Sequence, residues 1–223
     1  MKVEIDQTRL AKLSEMKVDA GRHPSYERGT CVMELAAWLR GLPITDRLEC
    51  VSGPVQSFLR RYNDGLPNAP RQALLEWAPK ILGSAATSEV ERKRVFIAVD
   101  YAVRVFAPFW LERVGRKNDA VKLRAVKQIV DKETAQAGRL AAAYAAASAY
   151  ASAYASSAAS AASASAYAAY AADAAYADAA YAASLAACAA SYAAYAAYAD
   201  AADAAKLQPH VFKMLDEMLA LQP

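Results

Sequence analysis

An alanine-rich tract, Leu140–Ala205, constrains the fold of this 223-residue chain more than any other feature, because it contains neither glycine nor proline. Alanine has the highest intrinsic helix propensity of all residues, so such a tract favours the α-helix. From Tyr167 onward the sequence falls into blocks of eleven residues, which corresponds to about 3.67 residues per helical turn. That period is close to the period of a straight α-helix. We therefore predict long α-helices across the tract.

The repeat divides the predicted helix into two sides. Alanine forms an uninterrupted stripe along one side between residues 171 and 201, while tyrosine, aspartate and serine occupy the other side. Alanine lets two helix backbones approach more closely than the usual distance of about 8–10 Å, which adds dispersion contacts along a long seam. We predict that the stripe packs against another helix and that tyrosines opposite it bind a partner. The predicted packing residues are Ala171, Ala175, Ala182, Ala186, Ala193 and Ala197, and the predicted binding residues are Tyr170, Tyr181, Tyr192 and Tyr195.

Helical spacing of apolar residues also runs through the sequence before the tract. The run Cys31–Arg40, for example, is typical of a mostly buried helix. We predict an all-α protein with a compact N-terminal helical domain at residues 1–117. Residues 118–223 are predicted to form a long alanine- and tyrosine-rich arm that ends in a short amphipathic helix. We expect the arm to be a hairpin or bundle, with Gly138 and the serine-rich residues 148–165 as candidate turns.

Local signals predict where several helices begin and end. Ser88 followed by Glu91 has the spacing of a capping box, which indicates a helix start. Pro108 is expected to break the helix that follows. The C-terminal amphipathic helix is expected to begin at Pro209. Asn118 is expected to begin a further helix, with its core positions at Val121, Val126, Ile129 and Val130.

Charge is unevenly distributed along the chain. Residues 1–140 have a net charge of +7, with 24 Lys and Arg against 17 Asp and Glu, whereas residues 141–205 carry four Asp and no basic residue. The basic residues are spread out rather than clustered in a stripe, so we do not expect nucleic-acid binding. No window of 18 residues is apolar enough to span a bilayer, so we expect no membrane contact. The opposite charges of the two parts allow them to pair within one chain or between copies.

The cellular compartment is predicted from the N-terminus and the cysteines. The first residues lack the apolar core of a signal peptide. Cys31, Cys50 and Cys188 make an odd number of thiols, which is typical of a reducing compartment rather than of a disulfide framework. We therefore predict a cytoplasmic protein.

The sequence contains no phosphate-binding Walker loop, no dinucleotide-binding glycine motif, no C-x-x-C and no H-E-x-x-H. One group of residues combines side chains that bind zinc or take part in catalysis: His23, Cys31, Glu34, Asp46 and Cys50. Their spacing matches no compact zinc motif, so we predict that Cys31 and Cys50 pack as small buried side chains. Glu34 is expected to be buried and paired with Arg40 or another cation. We predict no catalytic residue, no metal site and no cofactor.

Several short motifs lie between about residues 20 and 115. They are His23, Gly29-Thr-Cys31-Val-Met-Glu34-Leu-Ala-Ala-Trp38-Leu, Asp46, Cys50-Val, Phe58-Leu-Arg60, Asn63-Asp64, Leu66-Pro67, Leu82-Gly83, Glu91-Arg92, Ala98-Val-Asp100 and Pro108-Phe-Trp-Leu. This set resembles an uncharacterised helical family of actinobacteria and their phages, which implies a helical fold and brings no established activity. At Thr45-Asp46-Arg47-Leu48 the sequence departs from the Ser-Asp-His-Pro of that family, so no role of the missing histidine carries over. The tail is loosely similar in composition to bacterial immunity proteins.

Together these features predict a non-catalytic helical module of a bacterium or its phage. It would bind or inhibit another protein, as immunity and anti-defence proteins do, and would form oligomers through the alanine stripe. The alternative is a small-molecule-binding or sequestering protein with a pocket lined by tyrosines. A third possibility is an enzyme or a zinc site at Cys31, Glu34 and Asp46.

Overall fold

The computed structural model describes residues 3–151 and 201–221, with side chains for residues 3–146 and 206–221. These residues form helices and loops without a β-strand, so the all-α prediction is confirmed. The helices are α1 (Gln7–Ala11), α2 (Val32–Leu39), α3 (Gly53–Gly65), α4 (Asn68–Arg71), α5 (Trp77–Lys80), α6 (Ser88–Tyr101), α7 (Ala107–Arg113), α8 (Lys117–Arg124), α9 (Lys132–Ala151) and α10 (Ala201–Ala220). Short 3₁₀ turns lie at Leu13–Glu15, Tyr26–Arg28 and Gln72–Glu76.

Short polar side chains begin several of these helices. They accept hydrogen bonds from backbone N–H groups that the first helical turn leaves without partners. Asp6 begins α1, Ser52 begins α3 and Thr87 begins α6 in this way. The predicted capping box at Ser88 and Glu91 is wrong, because Thr87 is the capping residue and Ser88 is already helical. Glu91 instead accepts a hydrogen bond from the loop that precedes the helix.

Pro108 does not break its helix, and the prediction of a break is wrong. After α6 the chain continues through five residues of π-helix, Ala102–Phe106, into α7. In a regular α-helix, proline lacks the N–H for the intrahelical bond and its ring collides with the carbonyl one turn earlier. The wider π turn lies directly before Pro108 and accommodates both effects. Helical structure therefore runs without interruption from Ser88 to Arg113.

The short helix α2 lies at the centre of the core. All of its residues except Trp38 are buried. A helix that is apolar on every side is typical of such a position. It packs against α1, α3 and α5. In the same core Phe58 and Tyr62 of α3 stack with ring centroids 5.6 Å apart.

The C-terminal helix α10 packs on the same core as the N-terminal helices. It contacts α4 and α6, and the ring of Phe212 lies 5.2 Å from the ring of Trp77. Each buried apolar side chain contributes about 1.5–3 kcal/mol to such packing. The described part of the helix, Ala201–Ala220, passes through Pro209, where the sequence predicted its start. Its buried residues recur at the spacing of one helix face: Leu207, Val211, Met214, Leu215 and Met218.

Arg94 of α6 connects α10 to the rest of the core. Its side chain is only 2% exposed. Nε donates to the carbonyl of Met218 at 2.8 Å, and Nη2 donates to the carbonyl of Leu221 at 2.7 Å. Nη1 donates to Oε1 of Glu91 at 3.1 Å and to the carbonyl of Ser84. Carbonyls at a helix C-terminus have no intrahelical donors, so a buried cation there satisfies them and meets the negative end of the helix dipole.

Replacing Arg94 by methionine is expected to destabilise the protein by about 3 kcal/mol, because the buried carbonyl of Met218 loses its donor and Glu91 loses its cation. Urea denaturation followed by circular dichroism measures the change. Arg92→Met, at an exposed position of the same helix, is the matched control and should cost less than about 0.5 kcal/mol. Equal effects of the two substitutions would contradict the role assigned to Arg94.

The helix α8 differs from its prediction in both its bounds and its buried side. Arg116 rather than Asn118 is its N-cap residue, and the helix already ends at Arg124. The four predicted core residues therefore do not share one helix face. Of these four, only Ile129 is buried, and it lies in the loop before α9. The buried residues of α8 are instead Asp119, Ala120 and Leu123.

The helix α9 shows how the alanine-rich tract packs at its start. Its small residues lie against α6, the π-helix and α8. A Cβ atom at Gly138 would lie 2.6 Å from Cδ1 of Ile129 and 3.7 Å from Cγ1 of Val103. The prediction of a turn at Gly138 is therefore wrong, because this glycine allows close packing inside a helix. The buried small residues of α9 include Ala135, Gly138, Ala142 and Ala145.

Replacing Gly138 by leucine is expected to destabilise the protein by about 2–3 kcal/mol, because the new side chain has no space beside Ile129 and Val103. The neighbouring substitution Ala137→Leu introduces the same side chain at an exposed position of α9 and should be nearly neutral. Thermal and urea unfolding of both variants would measure the difference. If Gly138→Leu unfolded at the same urea concentration as Ala137→Leu, the close contact would be refuted.

The described parts of the predicted arm contact the predicted N-terminal domain. The helix α8 packs on α7, α9 packs on α6, and α10 packs on α6 and α4. The boundary at residue 117 stays a prediction. None of the described helices is long and apolar enough to cross a membrane.

Candidate functional site

Glu34, one of the residues that the sequence selected, is a fully buried carboxylate in the first turn of α2. Its Oε2 lies 2.7 Å from Nδ1 of His23 and accepts from the backbone N–H of Cys31 at 2.8 Å. Its Oε1 accepts from the backbone N–H of His23 at 2.9 Å. These partners compensate the solvation that the carboxylate loses on burial. The burial of Glu34 is confirmed, but its partner is His23 and not Arg40.

Cys31 is the N-cap residue of α2. Its Sγ accepts from the backbone N–H of Glu34 at 3.5 Å, and the Glu34 side chain accepts from the backbone N–H of Cys31, so the two residues form a reciprocal capping box. The side chain is 3% exposed, and burial raises the pKa of the thiol to about 12. A thiol that stays protonated at neutral pH is a poor nucleophile. This geometry favours a structural role for Cys31.

The loop between α1 and α2 is held by α3 through side chains that sequence reasoning missed. The side-chain amide of Asn63 donates to the carbonyl of Asp19 at 2.8 Å, and its oxygen accepts from the N–H of Val32 at 3.3 Å. Oδ1 of Asp64 accepts from the N–H of Gly21 at 2.8 Å. In the sequence these residues lie in an Asn-Asp-Gly run that indicates a turn. That signal gives no hint of their contacts with a loop more than 40 residues earlier.

Gly29 completes the surroundings of His23. Its φ of +121° favours glycine, and a Cβ atom there would lie 2.8 Å from Cδ2 and 2.9 Å from Nε2 of His23. Oδ2 of Asp19 would be equally close, at 2.8 Å. The imidazole is thus enclosed between the buried carboxylate of Glu34 and the backbone of Gly29. It connects the loop to α2 as a packed structural group.

The other two residues of the predicted zinc or catalytic group do not join His23 and Glu34. Asp46 pairs with Arg60, with 3.5 Å between Oδ2 and Nη1. Cys50 accepts from Nη1 of Arg40 at 3.4 Å. Within the described side chains, no group of three or more histidine, cysteine or acidic residues is arranged to hold a metal ion. Of the five candidate residues, His23 and Cys31 both contact Glu34, whereas Asp46 and Cys50 lie in separate contacts.

Exposed apolar side chains mark a different part of the molecule. Among the described residues, the large apolar side chains that are exposed all lie in α8, in α9 or in the loop between them. Val121 of α8 is 61% exposed, and Leu140 and Tyr144, one turn apart on α9, are 58% and 64% exposed. Nζ of Lys122 lies 5.3 Å from the ring centre of Tyr144 and joins the two helices. We call Val121, Lys122, Leu140 and Tyr144 the α8–α9 surface.

A groove of about 290 Å³ lies between α6, the loop before α9 and the end of α10. Its apolar lining comes from Phe96, Ile97, Ile129, Val130 and Leu221. The hydroxyl of Tyr101 donates to Oε1 of Glu217 at 2.8 Å in the same groove. No sequence motif indicated this site, because its three walls come from distant parts of the chain.

The predicted binding tyrosines and packing alanines lie outside the described residues. This applies to Tyr170, Tyr181, Tyr192 and Tyr195, and to the alanine stripe that includes Ala171, Ala175, Ala182, Ala186, Ala193 and Ala197. Their roles stay predictions.

Comparison of the chain with family models, with curated proteins and with solved structures gave no match. The resemblance to a helical family of actinobacteria and their phages therefore stays a prediction.

The buried thiol of Cys31 is expected to resist alkylation in the folded protein. With a pKa of about 12 instead of about 9, ionisation alone should slow its reaction with iodoacetamide at pH 8 by about 1,000-fold relative to the urea-unfolded chain. Peptide mass spectrometry separates Cys31 from Cys50 and Cys188. Equal alkylation rates of Cys31 in the folded and unfolded chains would show that the thiol is accessible and ionised.

The same pKa gives a pH dependence with a defined sign. Because the folded pKa of Cys31 is raised, its contribution to stability is complete below pH 9 and is lost as the pH rises from 9 to about 12. Cys31→Ser keeps a capping acceptor, with oxygen in place of sulfur, and removes the ionisable thiol. This variant should therefore lose less stability than the wild type over that range.

Proposed function

We propose that this protein is a non-catalytic helical module that binds other proteins and associates with further copies of itself. As an interaction or inhibitor module of a bacterium or phage, it would act by covering the surface of a partner. The proposal includes a reducing cytoplasmic location, which suits Cys31 and Cys50 as free thiols.

The α8–α9 surface is the observation that carries this proposal. Single exposed apolar residues are common on proteins, but several on two helices that pack against each other indicate an interaction site. Leu140 and Tyr144 lie one helical turn apart, and Lys122 joins Tyr144 to α8. Tyrosine is enriched at protein interfaces because its ring is apolar and its hydroxyl can stay hydrated.

The packing of α9 supports self-association through the alanine-rich tract. The small residues of α9 are buried against other helices, with Gly138 in close contact with Ile129. The same composition continues along the stripe between residues 171 and 201, so a second helix could approach it equally closely. The charges of the alanine-rich tract and of α8 are also opposite in sign. Residues 141–205 carry four Asp and no basic residue, whereas the exposed side of α8 carries Lys117 and Lys122.

The contacts of the polar residues fit the same proposal. Glu34, His23 and Cys31 all make contacts that hold α2 and its preceding loop in place. The loosely similar composition of bacterial immunity proteins and the resemblance to a family of phages and actinobacteria suit a module of this type. The proposal rests on the α8–α9 surface and not on these two similarities.

The oligomeric state of the full chain provides the test. We expect light scattering to show a dimer or larger assembly, and we expect the triple substitution of Ala182, Ala186 and Ala193 by leucine to weaken it at least about tenfold, because leucine holds the helix backbones apart. The matched control replaces Ala174, Ala177 and Ala199, on the opposite side of the predicted helix, by leucine and should leave the assembly unchanged.

A second pair of variants tests the α8–α9 surface. Replacing Leu140 and Tyr144 together by glutamine should also weaken the assembly, whereas Ala11→Gln on the exposed side of α1 should not. A wild-type chain that stays monomeric at all concentrations would overturn the proposal. So would a stripe variant that assembles as well as its control.

A further inference from the structure

The groove between α6 and α10 has the construction of a small-molecule site. Its volume of about 290 Å³ lies at the lower end of the range for such sites, roughly 300–1,000 Å³. Phe96 and Ile97 of α6 form one wall, Ile129 and Val130 form the second, and Leu221 closes the end. A ligand there would contact three elements that are distant in sequence.

A carboxylate and a hydroxyl lie together in this groove. The hydroxyl of Tyr101 donates to Oε1 of Glu217 at 2.8 Å. Burial, and then the hydrogen bond to Glu217, holds the pKa of Tyr101 above its ordinary value, so the tyrosine stays protonated and continues to donate. A carboxylate oxygen accepts more than one hydrogen bond, so Glu217 retains capacity for a ligand.

The other charged side chains of the groove already have close partners. Nζ of Lys93 lies 2.8 Å from Oε1 of Glu89. Both carboxylate oxygens of Asp100 accept from Arg104 at 3.1 Å, and Oδ1 also accepts from the backbone N–H of Ile129.

Among the charged side chains of the groove, Glu217 has the weakest ion pair. The Nζ atom of Lys213 lies 4.0 Å from Oε1 of Glu217, and the side chain of Lys213 is 70% exposed. An exposed pair at that distance contributes little, so the groove retains the attraction of one carboxylate for a cation.

We propose that this groove binds a small amine with an apolar body. The apolar part packs against Phe96, Ile97 and Ile129, and the ammonium group donates to the carboxylate of Glu217. The volume limits the ligand to about ten non-hydrogen atoms. This small-molecule site is separate from the α8–α9 surface and does not depend on protein binding.

The probes are three phenyl compounds of similar size, and the protein is the full chain at low salt and pH 7. They are 2-phenylethylamine, which is cationic, 2-phenylethanol, which is neutral, and 3-phenylpropionate, which is anionic. Titration by isothermal calorimetry or by protein-observed NMR should give the tightest binding for the amine, weaker binding for the alcohol and the weakest for the acid. Equal affinities, or preference for the acid, would overturn the recognition of an amine.

Two variants locate the binding. Glu217→Gln keeps an acceptor for Tyr101 and removes the charge, so it should weaken the amine about two- to fivefold and leave the alcohol unchanged. Val130→Trp fills the groove from an exposed position and should weaken both ligands at least about tenfold.

Matched substitutions at other exposed positions, Glu133→Gln and Ala11→Trp, should bind as the wild type does. Thermal unfolding of each variant confirms that it is folded. Unchanged binding in Val130→Trp would place the ligand elsewhere and overturn the proposal. The oligomeric state is measured independently of these affinities, so the two proposals can fail separately.

Discussion

The packing of the described helices around one core depends on charged side chains that are buried at helix ends. Arg94 is positive and binds the free carbonyls at the C-terminal end of α10. Glu34 is negative and binds free N–H groups at the N-terminal end of α2 and in the loop before it. Each charge has the sign that the helix dipole favours at its end, and each satisfies backbone groups that the helix itself cannot. In this way α2 and the C-terminal helix α10 are fixed to one core by electrostatics as well as by apolar packing.

The fold class could be predicted from the sequence because helical periodicity and alanine content are local properties. The ends of the helices were harder to predict, since they depend on contacts made in three dimensions. Pro108 is a local breaker, but a π turn before it accommodates the ring. Gly138 is a local turn signal, yet Ile129 and Val103 from other elements determine that it lies inside a helix. In both cases tertiary packing, which the local pattern does not contain, decided the result.

For the candidate sites, too, the sequence predicted local properties but not contacts between distant elements. The sequence selected Glu34 correctly as a buried acid, because its neighbours in α2 are apolar. It could not identify His23 as its partner, since that contact joins a loop to a helix. The groove at Tyr101 and Glu217 could not be predicted from the sequence at all. Its residues lie 116 positions apart and have no motif in common.

The position of Arg94 also affects the order in which the chain can fold. Its acceptors in α10 follow it by 124 and 127 residues. A growing chain on the ribosome therefore exposes this arginine, and the apolar face of α6 beside it, until synthesis has passed Leu221. Contacts of such long sequence separation form late and slow the folding of a domain. The N-terminal helices therefore stay partly uncovered until the buried residues of α10, which follow the alanine-rich tract from Leu207 onward, have been synthesised.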